Sequence, residues 1–267
     1  MKPRNSATIS FALGMLLLSF GSGLHADDGL QPVHGVSGTF SIVAVDPETG
    51  EVGAAVASRY PAVGKVVPWV KADVGAFCTQ HWHNPDFGPR ALDLLESGHH
   101  SEQVLATLLQ DDDRADKRQL AIIDMQGRAA NRNPSQTDPS GRYWGAMSGR
   151  FYACQGNTLA GREVIVAMAA AYEDTAGSLT DRLMAALVAA DCAGGDHRGR
   201  LAAGIRVAKS SHDGLWFELY VDRSEDAVVD LLHAYIEKQH PAKGEWSKDF
   251  AADIQPCELF PTTTPRR

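Results

Sequence analysis

Pairs of β-prone segments alternate with pairs of helix-like segments along this chain, and that order is its most constraining feature. Residues 39–46 and 51–58 are apolar and β-prone, and a proline and a glycine between them favour the turn of a hairpin. In residues 88–98 and 101–112 the apolar positions recur every three or four residues, which predicts two helices. A hairpin followed by a helix pair is the first unit of the alternation.

The alternation continues to residue 240. Runs of antiparallel strands separated by helix pairs favour two sheets packed together and covered by helices, whereas a parallel sheet needs single helices between single strands. We therefore expect an α+β fold, a four-layer αββα sandwich of two antiparallel sheets. The further strands are predicted at 66–80 (one or two), 118–131 (two around a turn), 149–157, 201–209 and 215–222, and the further helices at 161–175, 179–191 and 227–240.

The N-terminus has the pattern of an export signal. Lys2 and Arg4 precede the apolar run "ISFALGMLLLSF", and small residues lead to Ala26. This predicts a signal peptide at 1–26, a leader at 27–38 and a periplasmic or secreted protein with no membrane segment in its mature form. The alternative is that the apolar run is kept as an uncleaved anchor, although it is short for a membrane span.

Charge and cysteine content narrow the class of protein. The formal net charge of −8 argues against a nucleic-acid partner, because phosphate binding needs clustered Lys and Arg. In an exported chain the four cysteines are candidates for disulfides, with three complete pairings and buried free thiols as alternatives. The sequence contains no C-x-x-C, so neither a cysteine metal cluster nor a cofactor is predicted.

The sequence lacks the common catalytic and nucleotide-binding motifs. The sequence has no G-x-S-x-G, H-E-x-x-H, P-loop or dinucleotide-binding glycine pattern. His81 and His83 end a predicted strand and would share one face, so a metal-assisted hydrolase is one alternative, but no carboxylate or cysteine cluster accompanies them. We predict no metal site.

Two glycine-containing loops are more informative. In "AGGDHRG" the glycines present Asp196 and Arg198, which could orient a catalytic group, bind a carboxylate, or simply pair with each other. In "CQGNTLAG" the amides of Gln155 and Asn157 lie at a strand-to-helix turn, where they could form an oxyanion hole or cap the helix.

The chain resembles the family called domain of unknown function 1028, which is placed among the N-terminal nucleophile (Ntn) hydrolases. The resemblance implies an Ntn-like domain at 39–241 with a peripheral tail at 242–267, and the same αββα sandwich. The similar segments are "TFSIVAVDPETGEVGAAVAS", "AVGKVVPWVKADVGAFCTQ", "NPDFGPRALDLLESG", "RQLAIIDMQGRAA", "QGNTLAG" and "AGGDHRGR".

The resemblance implies a mechanism in which Thr39 begins the mature chain. Cleavage after Gly38 would free an α-amine with a pKa near ~8, which can take the Thr39 hydroxyl proton during attack on an amide. One residue then supplies both nucleophile and base, so no separate triad is needed. The residues expected to assist are Asn157 as oxyanion donor, Asp196 and Arg198 for orienting the amine or a substrate carboxylate, and Ser58, Gln80 and Asn84 for substrate binding, with Lys71 as a second candidate for lowering the nucleophile's pKa.

Some positions depart from the family pattern. Cys78 and Cys154 stand where small apolar residues are expected, which favours a Cys78–Cys154 disulfide with Cys192–Cys257 as its complement. Arg200-Leu201, beside the Asp196 loop, stands where the family has a Gln-Ser-like pair, which implies a substrate pocket different from the usual one.

The predicted function is an exported amidohydrolase that cleaves a small amide or peptide-like substrate. The alternative from another class is a non-catalytic protein that binds a small ligand on the same scaffold. The two differ in whether Thr39 becomes the N-terminus. Oligomeric state is open, with a homo-oligomer as one alternative.

Overall fold

The computed structural model describes residues 38–134, 142–239 and 257. The predicted signal peptide, all but the last residue of the leader, and the tail except Cys257 lie outside the described residues. Within the described residues the strands are β1 (Thr39–Asp46), β2 (Glu51–Ser58), β3 (Pro68–Lys71), β4 (Gly75–His81), β5 (Arg118–Asp124), β6 (Ala129–Arg132), β7 (Tyr143–Gly149), β8 (Tyr152–Leu159), β9 (Ala202–Lys209) and β10 (Leu215–Val221); the helices are α1 (Phe87–Glu96), α2 (Ser101–Leu109), α3 (Glu163–Asp174), α4 (Leu179–Cys192) and α5 (Ala227–Gln239).

The strands form two antiparallel sheets, which confirms the predicted fold class. One sheet has the strand order β10-β9-β2-β1-β8-β7 and the other β3-β4-β5-β6. The predicted hairpin forms in full register from Thr39 opposite Ser58 to Asp46 opposite Glu51, with Gly50 of the turn at φ +70°. Because β8 pairs with the other edge of β1, the strand that begins at Thr39 lies inside its sheet.

Alternation of side chains along the strands builds the four layers. On β1, Val43 and Val45 face the other sheet, whereas Ile42 and Ala44 pack against the layer of α3, α4 and α5. On the smaller sheet, residues such as Phe77 pack against α1 and α2. The layers are therefore helices, six-stranded sheet, four-stranded sheet and helices.

One strand was not predicted. β7 has the sequence YWGAMSG, in which two glycines and small residues interrupt any apolar alternation, and it lies at the edge of the larger sheet. Pro68, expected to interrupt strand formation, is the first residue of the edge strand β3, where the missing N–H is tolerated.

One of the two predicted disulfides is formed. Cys192 at the end of α4 forms a disulfide with Cys257. The predicted Cys78–Cys154 disulfide is wrong: both residues are buried free thiols. Cys78 lies in the core between the sheets, while Cys154 points to the opposite face of its own sheet, among α3 and α4. Their strands are thus close while their side chains point apart.

Among the described residues, we find no helix with the length and apolar character required to cross a membrane.

Candidate functional site

The space between the sheets is apolar through most of its length and polar at one end. Val43 and Val45 of β1 belong to the apolar part, whereas Thr39 and Ser41 occupy the same face nearer the strand's start. We call the polar residues at this end the inter-sheet polar cluster. Its members are all fully buried: Thr39, Ser41, Ser58, Gln80, Gln119, Gln155 and Asn157.

Thr39 holds its position because β1 is paired on both sides. It stands opposite Ser58 of β2 and opposite Asn157 of β8. Three residues that are distant in the sequence are therefore neighbours across adjacent strands, at the spacing that strand pairing imposes.

A β-bulge lies beside Asn157. Between β7 and β8 the register shifts so that Asn157 and Thr158 together oppose the single residue Trp144. Thr158 has φ +55°, a left-handed conformation that is uncommon for a β-branched residue. The strain is held by buried surroundings, including a hydrogen bond from the backbone N–H of His197 to the Thr158 carbonyl.

The hydroxyl groups of Thr39 and Ser58 are 2.9 Å apart. Ser58 Oγ donates to the Gly38 carbonyl oxygen at 2.8 Å and accepts from the Tyr60 backbone N–H at 3.1 Å. Because a serine hydroxyl has one proton, which Ser58 gives to Gly38, the Thr39 hydroxyl must be the donor in the Thr39–Ser58 bond. The proton of Thr39 therefore points to Ser58, and the lone pairs of its oxygen are left available.

The carbonyl group of Gly38 receives two hydrogen bonds. Besides Ser58 Oγ, the backbone N–H of Arg59 donates to it at 3.3 Å. This carbonyl belongs to the peptide bond that joins Gly38 to Thr39. Two donors on one carbonyl oxygen polarise it and would stabilise negative charge that develops on it.

The buried amides are oriented by backbone groups at each end of a chain of hydrogen bonds. Gln119 Nε2 donates to the Gly156 carbonyl at 2.8 Å, so Gln119 Oε1 is the acceptor for Asn157 Nδ2, also at 2.8 Å. Asn157 Oδ1 is then directed at the Gly38 backbone N–H, which donates to it at 2.5 Å. The Asn157 side chain thus offers Gly38 an acceptor, and the donors at the Gly38 carbonyl are Ser58 and Arg59.

Gln80 joins the two sheets within the cluster. Its Nε2 donates to the Thr39 carbonyl at 3.3 Å and to Gln119 Oε1 at 2.8 Å, and its Oε1 accepts from Ser41 Oγ at 2.6 Å. The backbone on both sides of the Gly38–Thr39 bond is therefore fixed by side chains from three neighbouring strands.

Asp196 and Arg198 pair with each other and lie against Gly38. Arg198 donates from Nη2 to Asp196 Oδ2 at 2.9 Å and from Nε to Oδ1 at 3.1 Å, and the Asp196 side chain is fully buried. Gly38 has φ +83°, and a Cβ built on it would overlap Asp196 Oδ2 and Arg198 Nη2. Both the backbone conformation and the close approach of this ion pair require glycine at residue 38.

The loop that carries this pair is attached to the end of β8. Asp196 forms a β-bridge with Leu159, and the Ala160 N–H donates to the Gly195 carbonyl at 3.0 Å. Arg200 donates from Nη2 to Asp191 Oδ2 at 2.8 Å. Arg200 therefore forms an ion pair with Asp191 of α4.

Asn84 and Lys71, the two other candidates from the sequence, have local partners. The side-chain oxygen of Asn84 accepts from the Asp86 N–H at 3.1 Å in the turn that leads to α1. Lys71 pairs with Glu96 at 2.6 Å, and its register opposite Gly75 puts it at the other end of β4 from Gln80.

His81, at the end of β4, packs against an aromatic ring. His81 has φ +61°, and its ring packs edge-on against Trp144, with the centroids 4.6 Å apart. Across the described part of the chain, no group of three or more His, Cys, Asp or Glu side chains is arranged to hold a metal ion.

Ser41, Gln119 and Arg59 were not predicted from the sequence. Ser41 and Gln119 do leave a signal, because each is a polar residue that precedes apolar residues on the same face of its strand. Arg59 contributes through its backbone N–H. Because every residue except proline has this group, the residue type does not reveal the role.

Comparisons with known proteins agree with this fold. A family model described as "Family of unknown function (DUF1028)" matches residues 39–231. A similar solved structure is that of protein SPO2555 from Silicibacter pomeroyi, described as family-model DUF1028, with 28% identity and a TM-score of 0.69 over 86% of this chain and 97% of that one. No curated protein matches the chain. Since the family match spans most of the chain and begins at the first residue of β1, this protein is a member of the DUF1028 family.

Proposed function

We propose that this protein is an exported Ntn-type amidohydrolase whose nucleophile is Thr39, freed by cleavage after Gly38. The observation that carries the proposal is the arrangement at the Gly38–Thr39 bond. The Thr39 hydroxyl donates to Ser58, and Ser58 and the Arg59 N–H donate to the Gly38 carbonyl. The start of the family match at Thr39 supports the same assignment.

Self-cleavage would proceed by an N→O acyl shift. Thr39 Oγ1 attacks the Gly38 carbonyl carbon, and the oxyanion is stabilised by Ser58 Oγ–H and the Arg59 N–H. The C–N bond to Thr39 breaks, and the proton lost by Oγ1 reaches the Thr39 nitrogen. Water then hydrolyses the ester, which leaves Gly38 with a carboxylate and Thr39 with a free amine and hydroxyl.

Substrate hydrolysis would repeat this chemistry. The neutral Thr39 amine takes the hydroxyl proton while Oγ1 attacks the substrate amide, and the amine product leaves from an acyl-Thr39 ester that water resolves. Gln80 fixes the Thr39 carbonyl, while the buried Asp196 carboxylate is the acceptor that would orient the new ammonium group.

A periplasmic or secreted location and a small amide or peptide-like substrate belong to the same proposal. The Cys192–Cys257 disulfide supports an oxidising compartment, where such bonds persist.

The test compares three full-length chains in an exporting host: wild type, Thr39→Ala and Thr39→Ser. Intact mass should show a mature wild-type chain that begins at Thr39. Thr39→Ser should also be cut, since it keeps a hydroxyl, while Thr39→Ala should retain Gly38. Cut wild type should hydrolyse members of an amide panel that Thr39→Ala leaves intact. A wild-type chain that keeps Gly38 rules out the Thr39-amine mechanism and favours the ligand-binding alternative.

A further inference from the structure

The surroundings of Gly38 define more than a cleavage point. Its N–H is accepted by Asn157 Oδ1 at 2.5 Å, and its carbonyl oxygen accepts from Ser58 Oγ at 2.8 Å and the Arg59 N–H at 3.3 Å. On the third side, the Asp196–Arg198 pair occupies the position of an L side chain. Every group of this residue is therefore matched by a specific neighbour.

In the proposed mechanism, Gly38 occupies the place that the acyl group of a substrate takes when it is esterified to Thr39. In the N→O shift the Gly38 carbonyl carbon becomes esterified to Thr39 Oγ1, and that ester is an acyl-enzyme with a glycyl acyl group. A substrate R–CO–NH–R′ gives the same kind of ester when Oγ1 displaces H₂N–R′. The groups that hold Gly38 are thus available to hold the acyl part of a substrate.

We infer that the acyl subsite beside Thr39 is built for a glycyl group and that the substrates are N-acylglycyl amides, including peptides cleaved after glycine. This inference rests on the proposed function. Asn157 Oδ1 would accept from the substrate's glycyl N–H, and the Asp196–Arg198 pair would exclude a side chain at the acyl α-carbon.

The Asp196–Arg198 pair is held rigidly enough to distinguish a glycyl from an alanyl acyl group. Arg198 could swing aside only by breaking its hydrogen bonds to Asp196. The Asp196 side chain is short and fully buried, and the backbone of Asp196 forms a β-bridge with Leu159 of β8. A methyl group on the acyl α-carbon would require this loop to move. A rigid site that excludes one methyl group favours a glycyl over an alanyl substrate on the order of 100-fold in kcat/KM.

The substrate experiment uses protein that has been shown by mass to begin at Thr39. The probes are N-acetylglycine p-nitroanilide and N-acetyl-L-alanine p-nitroanilide, which share the acetyl N–H and the leaving group. We expect kcat/KM to favour the glycyl probe by about 100-fold. Equal or faster hydrolysis of the alanyl probe overturns the glycyl subsite while leaving the amidohydrolase proposal in place.

A second measurement decides the subsite if neither probe is hydrolysed. Gly38→Ala should slow self-cleavage by about 100-fold or more, because the new methyl group meets Asp196 and Arg198. The matched control is Gly214→Ala: Gly214 has φ +78°, close to that of Gly38, but nothing lies within 4 Å of an added Cβ. Cleavage of Gly38→Ala at the rate of Gly214→Ala overturns the inference, and a thermal melt of each variant checks that it has folded.

Discussion

Ser58 Oγ lies 2.9 Å from Thr39 Oγ1 and 2.8 Å from the carbonyl oxygen of Gly38, so one hydroxyl contacts both the proposed nucleophile and the bond it would cleave. The last residue of β2 meets the first residue of β1 because the hairpin pairs in full register.

Ser58→Ala should slow self-cleavage by about 10²- to 10³-fold, because it removes a donor to the Gly38 carbonyl and the acceptor of the Thr39 proton. The fraction of cut chain is followed by mass spectrometry after cell-free synthesis. Ser41→Ala is the control, since Ser41 is equally buried but bonds to Gln80. Equal rates for the two variants would remove Ser58 from the cleavage step.

Gln119→Met should lower the free energy of unfolding by about 2–4 kcal/mol, because it leaves Asn157 Nδ2 and the Gly156 carbonyl buried without their partner. Urea denaturation measures the difference. The exposed Gln110→Met is the control and should change stability by less than about 0.5 kcal/mol. If Gln119→Met lowered the free energy of unfolding as little as Gln110→Met, the hydrogen bonds of Gln119 would not stabilise the inter-sheet polar cluster.

Asp191 should make stability depend on pH. Burial raises the pKa of the Asp191 carboxyl to about 6, against the opposing effect of Arg200. The folded chain therefore keeps a proton that the unfolded chain, with a pKa near ~4, has lost. The resulting stabilisation is fully present below about pH 4 and is lost as the pH rises through about 6.

Urea unfolding of wild type and Asp191→Asn between pH 4 and pH 7 tests this. Over that range the wild type should lose on the order of 2 kcal/mol relative to the variant, which has no group to titrate at residue 191. The comparison cancels the other titrating groups that both proteins share. A difference that stays constant with pH would contradict the prediction.

The free thiols should be unreactive in the folded protein. Burial raises the pKa of Cys78 and of Cys154 to about 12, so neither forms the reactive thiolate at neutral pH. Ellman's reagent should detect no thiol in the native chain and two in urea. Four thiols in urea without reductant would mean that the Cys192–Cys257 disulfide is absent, and none would indicate a second disulfide.

The element order was predictable because its signals are local. The turn at Gly50 and the apolar periodicity of α1 to α4 each depend on a few consecutive residues. β7 was missed because its glycines remove that periodicity. The Cys78–Cys154 pairing failed because closeness of two strands does not reveal which face of each strand carries the side chain.

The site was predictable in part. Thr39, Ser58, Gln80 and Asn157 were named from motif similarity and strand ends, and the structure brings all four into one buried cluster. Asn84 was named on the same reasoning, and its side-chain oxygen accepts a hydrogen bond in the turn before α1. Its role in substrate binding stays a prediction.

The sequence by itself determined the helices, every strand except β7, and the layering of these elements, since turn chemistry and side-chain periodicity act within short segments. Tertiary structure alone decided that Gly38 packs against Asp196 and Arg198, and that Gln119 orients Asn157 toward it. These contacts join residues separated by tens to more than a hundred positions, and pairing between distant strands and packing between sheets create them.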